Sequence, residues 1–171
     1  MPGSPATVGA EMSGDAPPNA TGSRLLRVRT AAQRVVDLLE KWVTPLFDLG
    51  LRLYVAEIFL RAGWLKISSW DSTLALFESE YHVPLLPSHM AAVLGTAGEL
   101  VLPVLLVLGL AGRFSAAGLF VVNIVAVVAY AEISDLGLQD HLLWGVMLLM
   151  IFLHGPGRLS CDHWLKSYWA R

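Results

Sequence analysis

From Phe114 to Ala131 the chain runs without a single charged residue, and from Met90 to Leu110 it carries only Glu99. Stretches of this length and polarity constrain the fold more than any motif. Crossing a hydrocarbon core as a helix takes about 20 predominantly apolar residues. A lipid-exposed backbone must satisfy its own hydrogen bonds, which a helix does. Two further apolar stretches follow the same logic. One covers Leu46 to Trp64. The other is the run from Leu142 to Leu153, which is short for a span and is extended upstream to about Leu136. The composition agrees: 55% of the 171 residues are hydrophobic and 15% charged, where soluble domains carry about 25%. Mean hydropathy is +0.58. The expected fold is all-α, an integral membrane four-helix bundle.

The flanks set the domain plan. Residues 1–29 are rich in Gly, Pro, Ala, Ser and Thr at their start and read as a disordered tail. No apolar core of a cleaved signal peptide is evident there. Residues 30–44 read as an amphipathic interfacial helix, with Val35, Leu39 and Trp42 on one face and Arg34, Asp37 and Lys41 on another. The four-span bundle is expected over 45–158, and a short interfacial tail over 159–171.

Basic residues orient the spans. Arg24, Arg27, Arg29, Arg34, Lys41, Arg113, Arg158, Lys166 and Arg171 all fall on one side of this plan. The connecting segment Leu65–His89 has only Lys66, and Glu132–Asp140 has neither Lys nor Arg. The asymmetry predicts both termini in the cytoplasm, in a multi-pass membrane protein. Trp64, Trp70 and Tyr81 would then lie at the outer interface, with Trp42, Trp164, Tyr168 and Trp169 at the inner one. The net charge of −2 gives no sign of nucleic-acid binding. The single cysteine, Cys161, supports neither an internal disulfide nor a thiol–disulfide couple.

Ionisable side chains inside spans are expensive and mark candidate sites. Counting helical rise puts Glu57, Glu99 and Asn123 near one depth. Arg52 and Lys66 share a face of the first span, through Ala56, Phe59 and Gly63. Glu57 and Arg61 form an i, i+4 pair on another face. Two readings follow for the first set: a polar pocket around Arg52 and Glu99 that holds a headgroup or relays a proton, or an interhelical ion pair that locks the bundle. The Glu57–Arg61 pair reads as structural or oligomeric. Gly95, Gly98, Ala116, Ala117 and Gly118 allow close helix packing, and Pro103 interrupts backbone bonding just after Glu99. His154, Cys161, Asp162 and His163 give no tetrahedral ligand set, so no metal is expected.

The order and spacing of these residues resemble the DoxX family of small bacterial membrane proteins. The resemblance covers Leu51 to Asp162. It rests on Arg52, Phe59, Gly63 and Lys66 in the first span and on Glu99 with Gly109 in the second. Most specific is the exit Gly155-Pro156-Gly157-Arg158-Leu159-Ser160-Cys161-Asp162. That exit stops the fourth span, with Ser160 or Asp162 expected to cap a short following helix. The resemblance implies a four-helix bundle. It further implies a redox-associated role, since the family is named for a subunit of a thiosulfate:quinone oxidoreductase. The leading expectation is a subunit that binds quinone or another amphiphile near Arg52, Gly63, Lys66, Glu99 and Asn123, with chemistry shared with a protein partner or a second copy. The alternatives are a scaffold docking through Thr30–Val43, and a small-solute or proton carrier using Glu57, Glu99 and Asn123.

Overall fold

The computed structural model describes residues 20–130, 132–155 and 157–169, and it is helical with no regular strand among them. It divides into a unit Met1–Leu39 and a unit Glu40–Arg171. In the first unit, α1 covers Ala20–Leu38. It therefore begins within the stretch expected to be an unstructured tail. The reason is local: Arg24, Leu25, Leu26, Arg27 and Arg29 lie in that stretch, and Leu and Arg are good helix formers. Val28, Val35 and Leu38 on α1 are exposed. The remainder of the expected tail lies outside the described residues.

A π-helical turn, Leu39–Val43, precedes α2, Thr44–Ser68. Pro45 sits in the first turn of α2, where its missing N–H costs nothing. α3, Trp70–Ser79, occupies the segment read from sequence as a loop. Its amphipathic spacing puts Thr73 and Phe77 on the buried side. Thr73 Oγ1 ties it down by donating to the Lys66 carbonyl at 3.0 Å. Phe77 packs on Ala91 and Ala92, with Trp70, Leu74, Tyr81 and Val83 around them.

α4, Ser88–Leu108, ends at Gly109, whose φ of 65° is the left-handed region that favours glycine. α5, Gly112–Ala129, and α6, Asp135–His154, complete the bundle. The short α7, Cys161–Trp169, follows. α2 packs on α4 and α6, and α5 packs on the same two neighbours, so the four helices close a ring. Val55, Phe59, Leu106, Ala116, Leu119, Leu148 and Ile151 fill its centre. A Cβ on Gly118 would come within 2.7 Å of Leu102, and one on Gly98 within 3.1 Å of Val122. These glycines set how closely α4 and α5 approach.

The polarity is that of a membrane protein. Arg52, Thr96, Glu99, Ser115 and Asn123 are buried, while Leu53, Val101, Val121, Val128 and Leu149 face outward. α4, α5 and α6 are each long and apolar enough to cross a membrane. Only 33%, 33% and 17% of their apolar windows are covered by protein, which leaves their outer surfaces to lipid. The fourth apolar segment, short as a bare run, becomes a full-length helix once Asp135–His141 are added. α2 is more polar than these three, because it carries Asp48, Arg52, Glu57, Arg61 and Lys66.

Candidate functional site

The site begins where α2 meets α4. Gly63 has no side chain, and a Cβ there would lie 2.9 Å from Leu100 Cγ and 3.0 Å from Glu99 Cβ. That close approach lets Lys66, in the last turn of α2, reach Glu99. Lys66 Nζ lies 2.7 Å from Oε1 and 2.5 Å from Oε2. The Glu99 side chain is 9% exposed and that of Lys66 22%. Among the described residues this is the ion pair of the bundle. A charge pair held this far from water stands because both partners are present.

Across the same cavity, α5 and α6 supply a second polar pair. Asn123 Nδ2 donates to the His141 carbonyl at 2.9 Å. Asn123 Oδ1 lies 2.8 Å from His141 Nδ1. An amide oxygen can only accept, so Nδ1 carries the hydrogen and Nε2 is the ring's acceptor. Gly145 leaves room for the amide, and Trp144 meets the imidazole edge-on at 4.8 Å.

Between the two pairs lies a cavity of about 450 Å³. Lys66, Glu99 and His141 are its polar residues toward the bundle. Val122, Val125, Ala126, Leu94 and Ala91 form apolar walls. Aromatic residues close the end nearest α3. Phe77 and Tyr81 have ring centres 5.0 Å apart, Tyr81 and Tyr130 5.3 Å. His82 N–H donates to the Ala129 carbonyl at 2.9 Å and fixes this lid to the end of α5. Burial, reinforced by Tyr130, Glu80 and Glu99, holds the Tyr81 hydroxyl above the usual tyrosine range. It therefore remains a hydrogen-bond donor at neutral pH.

The structure separates two residues that the sequence reading had joined. Arg52 does not share a pocket with Glu99. It points into the opposite end of the bundle, where Nη2 donates to the Leu159 carbonyl at 2.5 Å. A Cβ on Gly109 would lie 2.7 Å from its Nη1. The register explains this: Gly63 abuts Glu99 while Arg52 abuts Gly109, so the two sites lie about 16 Å apart along α2. The same register puts Glu57 about 9 Å short of Glu99 along the axis. Glu57 and Arg61 are both exposed, and neither has an ion-pair partner among the described residues. Asn123, in contrast, lies near Glu99 in depth, since its neighbour Val122 packs on Gly98, and it backs His141, which lines the cavity.

The exit motif acts as a clasp at the Arg52 end. Asp162 does not cap α7. Its two oxygens accept from the Ala111 and Gly112 N–H groups, both at 2.9 Å, and satisfy the start of α5. Its own N–H returns to the Gly109 carbonyl at 3.0 Å. Gly157, at φ 75°, lies so close to Asp48 that a Cβ would meet its carboxylate at 2.7 Å. Ser160 Oγ donates to the Gly157 carbonyl at 2.8 Å. Gly155, at φ 90°, ends α6. Pro156 lies outside the described residues.

His141, Tyr81 and Tyr130 are the site residues that sequence reasoning missed. His141 carried one signal, its position immediately before the apolar run Leu142–Leu153. The tyrosines carried none, because their approach depends on α3.

Fold and site together define a small helical membrane protein. Lys66, Glu99 and His141 turn inward around a cavity of about 450 Å³, and most of the surface of α4, α5 and α6 is left to lipid. The chain belongs to the DoxX family, whose sequence pattern matches residues 47–132. It is also similar to an uncharacterized protein of Haemophilus influenzae, 27% identical over 128 residues, which cover 68% of this chain and 82% of the relative. No solved structure matches.

Proposed function

We propose that this chain is a four-crossing subunit of the bacterial inner membrane that binds quinone in the cavity between α2, α4, α5 and α6 and exchanges electrons with a partner protein. The observation that carries this reading is the pairing of a two-sided polar cluster, Lys66–Glu99 and Asn123–His141, with an apolar cavity of about 450 Å³. Ligand pockets span about 300–1,000 Å³ and combine apolar walls with a few placed polar groups. Quinone carbonyls accept hydrogen bonds, and Lys66 has an N–H beyond the two it gives Glu99. A quinol hydroxyl donates, and His141 Nε2 accepts. The isoprenoid tail matches Val122, Val125 and Ala126.

α2 is the fourth crossing in this reading. What supports it is its place in the ring of helices and the internal use of Arg52 and Lys66, which leaves Glu57 and Arg61 as its uncompensated charges. The distribution of Lys and Arg supports both termini inside, which puts the cavity in the outer half of the bilayer.

The test is extraction and mass spectrometry of quinones retained by protein purified from its own membranes. The wild type is expected to retain quinone in near-stoichiometric amounts, and Lys66→Met to lose it while still forming the folded bundle. A wild type that retains phospholipid but no quinone overturns the proposal.

A further inference from the structure

Glu57 and Arg61 sit exposed on the outer face of α2 with no ion-pair partner among the described residues. They flank a shallow groove of about 600 Å³ between α2 and α4, lined also by Leu53, Leu60, Trp64 and Leu100. Glu57 lies about 20 Å from the start of α2 and about 16 Å from its end. A glutamate side chain cannot span either distance to reach the headgroups. Lipid does not solvate a charge at such depth. The groove must therefore be covered by protein.

We propose that a second copy of this chain covers it, in a parallel two-fold dimer whose axis lies along the membrane normal. Charge complementarity selects this occupant. One face presents both signs, an acid and a base one helical turn apart. A two-fold axis along the membrane normal sets the two α2 helices at one depth, so each Glu57 lies one helical turn from the Arg61 of the other copy and each charge gains one intermolecular partner. The axial offset is about 6 Å, and helices packed at about 8–10 Å leave it within reach of an arginine side chain. The proposal rests on α2 crossing the membrane, and it is independent of any ligand in the cavity.

Two differently tagged copies expressed together in the membrane test it. Wild-type copies are expected to co-purify. Glu57→Arg alone gives two bases per chain and Arg61→Glu alone gives two acids, so each should co-purify with itself at least tenfold less. Glu57→Arg on one copy with Arg61→Glu on the other should restore recovery, as should the exchanged pair Glu57→Arg/Arg61→Glu on both copies. Restoration would itself show that the variants insert and fold. Wild-type copies that stay apart, single variants that associate like wild type, or mixed variants that fail to recover would each overturn the proposal.

Discussion

Removing Lys66 should leave Glu99 as an uncompensated charge inside the bundle, and the size of that effect follows from the geometry. Lys66 Nζ engages both carboxylate oxygens, and Glu99 is 9% exposed. Breaking a buried pair by deleting one partner costs about 3–5 kcal/mol. The 22% exposure of Lys66 places Lys66→Met near the lower end, about 3 kcal/mol, or roughly a hundredfold in the folding equilibrium. Glu99→Gln strands the ammonium instead. It should cost less, because Lys66 is at the end of α2 and can swing toward water. Lys66→Met/Glu99→Gln removes both charges and should recover at least half of the loss, since a neutral pair of similar volume is often no worse than a buried ion pair. The assay is reversible unfolding in mixed micelles, followed by helical circular dichroism, on all four proteins. The double-mutant cycle should give a coupling of about 2 kcal/mol or more. Additive single effects, with the double variant the least stable, would refute the claim that these side chains hold each other.

Asp162→Ala should expose the N–H groups of Ala111 and Gly112 and cost about 1–2 kcal/mol, read in the same unfolding assay. Gly109→Ala should cost about 2 kcal/mol, because φ is 65° and the new methyl group would sit 2.5 Å from Ser160 Cβ; wild-type stability would show that the α4–α5 turn is not packed on the exit segment. His141→Phe keeps the ring's volume but removes its acceptor and its bond to Asn123. It should weaken quinone retention up to about tenfold, the worth of one hydrogen bond, with little change in dimer recovery.

The architecture was largely legible from the residues. Charge-free runs such as Phe114–Ala131 admit only a helix in lipid, and the structure places α4, α5 and α6 where they fall. Lys66 and Glu99, grouped from sequence because ionisable groups in spans are costly, do meet as an ion pair, whereas Asn123 pairs with His141 instead. What could not be read was register. Arg52 was grouped with Glu99 because both lie in neighbouring spans, yet it is Gly63 of α2 that abuts Glu99, while Arg52 abuts Gly109. α3 itself was hidden in a connecting segment whose tyrosine, tryptophan and acidic residues suit an interface equally well. The role of Asp162 was hidden for a similar reason. A cap for the next helix and a clamp on a distant one look identical in sequence, and only the positive φ values of Gly109 and Ala111 bring the α5 start to it.

The most direct measurement is photolabelling with an azido-quinone in native membranes, followed by peptide mapping. Attachment should concentrate on Tyr81, Val125 and Tyr130 and be competed by excess quinone. Labels spread along the lipid-facing surfaces of α2 and α6, or gathered near Arg52 instead, would contradict a quinone site held by Lys66, Glu99 and His141.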